Sequence, residues 1–308
     1  MTTSKKRPYE ILLYNRRTGA LEKEKVYGRR WMDLFYGTPS GRRIARLLLC
    51  RRPLSRLYGW LQTRPRSRAK IRAFVSQYRI DLAEAVVPPG GFASFNDFFI
   101  RRLQPGARPV SDDPSDFISP ADSRLQVYPI RQGFSMEVKG LHMTLPRLLD
   151  QDNLESRYQG GLCLCFRLAP CDYHRFGYPS RGVQGQVHSV GGLFHSVSPL
   201  AMRHKPDVLA TNFRQWCFVQ TELWGALIQV EVGAMMVGSI VQHNPGGARC
   251  QRAEEKGYFQ FGGSTVLVIV EPGRLRVDDD ILAQSERGIE TLVQYGETVG
   301  KAFRNPNH

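Results

Sequence analysis

The sequence predicts an α+β protein with a mostly antiparallel β core and basic amphipathic helices at its N-terminus. Three observations carry this. Val- and Ile-rich runs, ALIQVEVGAMMVGSIV at 226–241 and STVLVIV from Ser264, read as buried strands. Short Gly- and Pro-bearing turns separate such runs. Between residues 29 and 80, apolar positions at helical spacing alternate with many arginines. A chain of 308 residues, 42% hydrophobic, can bury one sizeable domain with a smaller region attached. The division falls at a Pro-Gly-rich stretch, giving an N-terminal basic region, 1–90, and a main domain, 91–308.

Composition narrows the function classes. The formal net charge of +15 calls for a polyanionic partner, either nucleic acid or an anionic lipid surface. No helix-turn-helix, zinc-finger or RNP signature accompanies the charge, so no nucleic acid partner is expected. Six cysteines (Cys50, Cys163, Cys165, Cys171, Cys217, Cys250) contain no C-x-x-C pair, which fits reduced structural thiols and no metal. Cys163 and Cys165 alternate in LCLCFRLAP and so share one strand face. No apolar run approaches the roughly eighteen residues of a spanning helix.

In order, residues 1–28 open with Lys5, Lys6 and Arg7 and predict a hairpin turning at Thr18-Gly19. Ile44, Leu47 and Leu48, then Leu54, Leu57, Trp60 and Leu61, recur at helical spacing. Arg42, Arg43, Arg46, Arg51, Arg52 and Arg56 surround them, and Pro53 starts a new helix or kinks the old one. Such helices suit a membrane surface, each arginine near anionic headgroups adding about 1 kcal/mol. A helical subdomain with a solvated basic face is the other reading. Residues 81–93 are a linker. Phe95, Phe98 and Phe99 in FNDFFIRRLQPGARPV have the spacing of core helix positions. LPRLLDQ from Leu145 is a short helix. Residues 226–241 read as two paired strands of one sheet, with Gly233 and Gly238 allowing close approach and Met235 and Met236 in the core. After Pro272-Gly273 comes a short helix near Ile281, and Leu292 to Phe303 reads as a closing strand and terminus.

The stretch EEKGYFQFGGSTVLVIV, 254–270, concentrates the chemistry. Gly262 and Gly263 permit backbone approaches that a side chain would forbid. Ser264 then sits on a tight turn at the mouth of a buried strand, where its hydroxyl can attack a neighbouring carbonyl. Gly-Gly-Ser alone also reads as ordinary turn chemistry. Asp122 in SPADSRL fits an Asx-turn or helix cap equally well. CDYHRFGYPSRG, 171–182, carries His174, and VHSVGGLFHSVSPLA, 187–201, carries His188 and His195. A strand histidine is by default a satisfied structural residue.

Together these runs resemble the phosphatidylserine decarboxylase family. The G-S-T corner at 263–265, F-N-x-F-F-x-R-x-L-x-P-x-x-R-P at 95–109, P-A-D at 120–122 and D-Y-H-R at 172–175 fall in the family's order. The likeness spans about residues 8–300. Ser123 stands where the family has Gly, and Gly177 where it has a second histidine.

The resemblance implies a pyruvoyl-dependent, self-processing carboxy-lyase that converts phosphatidylserine to phosphatidylethanolamine and CO2 through a Schiff base. The chain would break at Gly263–Ser264, giving chains 1–263 and 264–308 held as a heterodimer, with Ser264 becoming the pyruvoyl group. It implies that Asp122 orients a base, that the second histidine completes an Asp-His-Ser arrangement, and that His174 handles protons in decarboxylation. With Gly177 at the second position, His174 or His195 is the candidate processing base. Arg101, Arg102 and Arg108 are structural or face the lipid phosphate. The resemblance also implies peripheral attachment to the cytoplasmic face of a membrane, leaving self-association open. A pyruvoyl enzyme for a soluble amino acid, or an uncleaved lipid-binding relative, are the alternatives.

Overall fold

The computed structural model describes residues 10–45, 50, 52–131, 135–138, 141–152, 154–205, 207–235 and 239–303. Lys5, Lys6, Arg7, Arg46, Leu47, Leu48, Arg51, Met236 and Gly238 fall outside the described residues. The predicted hairpin forms: β1 (Leu12–Asn15) and β2 (Ala20–Lys23) run antiparallel about a turn with Gly19 at φ 65°. Helices α1 (Arg29–Gly37), α2 (Pro39–Ile44), α3 (Arg52–Gln62) and α4 (Ala69–Tyr78) follow. Thr38 caps α2, its hydroxyl accepting from the Gly41 amide at 3.0 Å. Pro53 lies in the first turn of α3, where a missing N–H costs no hydrogen bond. Trp31 and Leu34 on α1, and Leu57, Trp60 and Leu61 on α3, stand exposed.

Ser94 caps the short α5 (Phe95–Phe99) through the Asp97 amide. Its three phenylalanines are buried as predicted, in one cluster with Phe74 of α4, Phe92 and Phe261. The chain then forms β3 (Asp116–Ile118), β4 (Ser123–Pro129), β5 (Ser135–Val138), β6 (Leu141–Thr144), α6 (Leu145–Leu149), α7 (Glu155–Tyr158), β7 (Leu162–Leu168), β8 (Arg175–Gly177), β9 (Gly182–Gln184) and β10 (His188–Val190). After α8 (Pro199–His204) and α9 (Val208–Thr211) come β11 (Arg214–Gln220), β12 (Ala226–Gly233), β13 (Ile240–Gln242), β14 (Arg249–Cys250), β15 (Glu255–Phe259), β16 (Ser264–Val270), β17 (Leu275–Val277), α10 (Asp279–Glu286), β18 (Glu290–Val293) and β19 (Thr298–Ala302).

The main sheet runs β14-β9-β11-β12-β16-β7-β4-β18-β1-β2, with β10 also on β11. Among the described strand pairs only β1 with β18 is parallel, beside one isolated parallel bridge between Leu193 and Asn212, so the mostly antiparallel α+β architecture is as expected. β12 and β16 are buried at every position, which is why they read as unbroken apolar runs. Paired residues share a face, so Ser264, Leu168 and Gly233 lie on one side of the sheet and Thr265, Arg167 and Val232 on the other.

Two expectations need correction. The 226–241 run does not form two strands of one sheet: β12 is already paired by β11 and β16, so β13 joins β15 and β8 in a separate sheet. The tail from Leu292 is not one strand, because Gln294–Glu297 turn the chain between β18 and β19.

Candidate active site

Ser264 is the first residue of β16, wholly buried, facing Gly233 on one side and Leu168 on the other. Gly262 before it has φ 146°, a backbone conformation that favours glycine. A Cβ on Gly263 would meet the Val197 Cγ2 at 3.3 Å, so the 263 carbon stays bare and closely walled. The turn is held from behind. The Asn96 side-chain oxygen accepts from the Phe261 amide at 3.1 Å, and the Phe261 ring packs against Phe95, Phe99 and Tyr58. The FNDFF segment is thus a clamp on the Gly-Gly-Ser corner.

His174 reaches this serine. Its Nδ1 lies 3.2 Å from Ser264 Oγ, and its Nε2 lies 3.0 Å from the Ala169 carbonyl oxygen. A carbonyl only accepts, so Nε2 carries the proton and Nδ1 is left to accept from the serine hydroxyl. The ring is fully buried and stacked on Phe99 at 3.9 Å. Burial pulls its pKa down to about 3; the bond to Ala169 opposes this, and the Arg101 and Arg124 charges add to it. The imidazole is therefore neutral at physiological pH, the state in which it can take a proton. Ala169 is fixed in turn: its amide donates to Asp172 Oδ2 at 2.6 Å, and Asp172 is paired with Arg124.

Of the two candidate bases, His174 and His195, the structure brings His174 to Ser264. Gly177 lies at the end of β8, with no side chain to contribute.

The other predicted residues sit as follows. Asp122 does not hydrogen-bond to His174 among the described residues; the Ala169 carbonyl makes that bond. Both Asp122 oxygens are engaged by the Arg108 fork at 2.9 and 2.7 Å, and Oδ1 also accepts from the Tyr295 amide at 2.8 Å. Ser123 is buried, its hydroxyl directed to the Ala121 carbonyl, so the corner accepts it in place of glycine. His195 is buried with Nδ1 3.1 Å from Cys50 Sγ, while its backbone is bonded in both directions by Asn212. Among the described residues the Ser264 hydroxyl is met by His174, not by His195. Arg101 is buried with its guanidinium over the Phe98 ring, Arg102 is exposed, and Arg108 bridges Asp122 and Glu84.

A cavity of about 550 Å³ opens on the Gly262-Gly263 corner. Gly262, Gly263, Ala169, Val197 and Ser198 form its inner wall, and Trp31, Met32 and Phe35 of α1 its apolar mouth. None of the three predicted arginines lines it; Arg167 and Lys25 do. Arg167 is held by Glu24 and Glu290, so its charge is already balanced.

Asn96, Ala169 and Asp172 carry no individual signal in the sequence, and Phe99 reads there only as a core position. Asn96 and Phe99 stand in a quoted motif, and Asp172 precedes the motif tyrosine, but nothing local marks a backbone carbonyl such as that of Ala169 as the partner of His174.

The family model for phosphatidylserine decarboxylase matches residues 95–301. The phosphatidylserine decarboxylase proenzyme of Clostridium botulinum (strain Alaska E43 / Type E3) is 39% identical over 291 residues, covering 94% of this chain and 98% of its own. The proenzymes of Desulfitobacterium hafniense (strain Y51) and Clostridium beijerinckii are 38% and 37% identical with the same coverage. A serine at the head of a buried central strand, a neutral histidine on its hydroxyl and this likeness along nearly the whole length agree: the chain belongs to the phosphatidylserine decarboxylase family.

Proposed function

We propose that the chain is a self-processing phosphatidylserine decarboxylase that releases CO2 to leave phosphatidylethanolamine, using a pyruvoyl group made from its own Ser264. The observation that carries this is the 3.2 Å approach of His174 Nδ1 to Ser264 Oγ, next to a glycine carbonyl. His174 takes the hydroxyl proton as Oγ attacks the Gly263 carbonyl carbon, and the amide becomes an ester. Loss of the Ser264 α-proton then expels the Gly263 carboxylate and leaves dehydroalanine at 264. Water enters, ammonia leaves, and a chain beginning with a pyruvoyl group remains beside chain 1–263.

The residues present suit that group. Position 264 is dry, Gly233 opposite adds no bulk, and the cavity meets the corner. Such a group would supply a carbonyl for the substrate amine and the sink for the electrons that CO2 leaves behind. His174, neutral at rest with Nδ1 bare, would relay the returning proton rather than store it. Asp122 acts at one remove, tying Arg108 and the Tyr295 turn behind the site.

A lipid substrate fits better than a free amino acid. Trp31, 62% exposed, belongs both to the outer face of α1 and to the cavity mouth. Leu34, Leu57 and Trp60 extend that apolar surface, and Arg64 stacks on Trp60 at 3.9 Å. No helix of the described residues is long and apolar enough to cross a membrane. Within the basic N-terminal region, 1–90, the exposed apolar faces of α1 and α3 rest on an anionic bilayer while β1 and β2 join the main sheet; the chemistry belongs to 91–308, as a peripheral enzyme at the cytoplasmic face.

Intact mass with hydrazine labelling tests the reading. Two chains split at Gly263–Ser264, the smaller one blocked and hydrazine-reactive, are expected. A single chain with unmodified Ser264 overturns it.

A further inference from the structure

We propose that Tyr295 occupies the place of the family's second histidine, so that Gly177 and Tyr295 form a matched pair that positions Asp122 and the His174 segment for self-processing; this rests on the function proposed above. Position 177 has no room for a side chain. A Cβ there would overlap the Tyr295 hydroxyl oxygen and come within 2.7 Å of the Glu254 carbonyl oxygen. Gly177 is not among the glycines with positive φ, so its backbone does not require glycine. The space does, and the phenol fills it.

Tyr295 ties together Asp122, the segment that carries His174 and the approach to β15. Its amide donates to Asp122 Oδ1 at 2.8 Å. Its ring meets Tyr173, the neighbour of His174, edge-on at 6.1 Å. Its hydroxyl donates to the Ala253 carbonyl at 2.9 Å, at the entry to β15 and the scissile corner. Burial pushes the phenol pKa upward, so it remains a protonated donor and cannot serve as the base. Tyr295 is therefore a positioning residue. Once the 263–264 bond is broken it belongs to the smaller chain, while Asp122, Tyr173, Gly177 and Ala253 belong to the larger. It is a clasp across the cut.

A reciprocal-rescue experiment tests the pair. Wild type, Gly177→His, Tyr295→Ala and the double variant are followed by self-cleavage on denaturing gels and by thermal midpoint. Each single variant is expected to cleave about tenfold or more slowly, since displacing reacting groups by an ångström costs this much or more. The double variant is expected to cleave faster than either single one, incompletely because the Glu254 carbonyl still crowds position 177. If Gly177→His does not fold, the comparison of Tyr295→Ala with the double variant decides. A double variant that cleaves no better than either single one overturns the pair, and recovery of the midpoint without cleavage reduces it to packing and overturns the positioning role. An uncleaved wild type would instead overturn the proposed function itself.

Discussion

The burial of His174 makes a sharp prediction about pH. An ordinary histidine, with a pKa near 6.5, is only about 9% neutral at pH 5.5, so a base of that kind would lose about elevenfold in rate between pH 8 and pH 5.5. With its pKa pulled down to about 3, His174 stays over about 99% neutral at pH 5.5. Self-cleavage should therefore be flat from pH 8 to pH 5.5, falling only where the fold itself gives way. The sign for stability follows from the same depression. Above pH 6.5 folded and unfolded chains both carry a neutral imidazole there. As pH falls below 6.5 the unfolded chain gains a proton that the folded chain refuses, so stability is lost at up to about 1.4 kcal/mol per pH unit until the folded pKa is reached. The assay is cell-free synthesis of the precursor, a shift into buffers from pH 5.5 to 8, and a gel time course. His174→Gln should remain flat but run about 10²–10⁴-fold slower, the usual cost of losing a general base. A tenfold fall in the wild-type rate between pH 8 and 5.5, on protein still folded by circular dichroism, would refute the buried-base argument.

Two further outcomes follow from other parts of the molecule. Lys256 and Glu231 form a fully buried pair at 2.8 Å, so Lys256→Met, which leaves the Glu231 carboxylate with the Gln242 amide but no counter-charge, should cost about 3–5 kcal/mol in urea unfolding; adding Glu231→Gln should recover part of it. Replacing both Leu57 and Trp60 by Ala should weaken sedimentation with phosphatidylserine-containing vesicles about tenfold or more, from roughly 1–2 kcal/mol of apolar contact at each half-exposed side chain, while self-cleavage continues unchanged; equal vesicle binding would separate the apolar face from the bilayer.

Much of the fold was legible because its strands are buried on both faces. STVLVIV and ALIQVEVG have no polar face to obscure them, and the hairpin at Thr18-Gly19 and the helix around Phe95 announce themselves by turn chemistry and spacing. Ile240–Gln242 was misassigned for a reason no local pattern contains: strand pairing depends on which edges remain free, and both edges of β12 are occupied. The site was legible in its residues more than in its contacts. Ser264, His174 and Asp122 all lie in quoted motifs, yet the bond expected between an aspartate and the base is made by the Ala169 carbonyl. A backbone acceptor has no sequence signature. Gly177 was legible only as a departure; its meaning lies in Tyr295, 118 positions away, from the 177 and 295 of the numbering.

The position of Ser264 also bears on how a chain cut at the proposed Gly263–Ser264 bond would hold together. β16 would be freed at its N-terminal end by that cut, yet it is paired along its whole length, to β12 on one side and β7 on the other. The new ends would form at the rim of the strand, next to Gly262 and Gly263. The smaller chain then continues through β17, α10, β18 and β19, and β18 re-enters the same sheet beside β4. Two separate strands of that chain are thus locked into a sheet otherwise built by the larger one, and Arg16 of the larger chain binds Asp278, Asp280 and Glu297 of the smaller. Separating the pieces would expose the apolar faces of β12, β16 and β7 together, so cleavage can remodel one residue while the surrounding fold stays as it was.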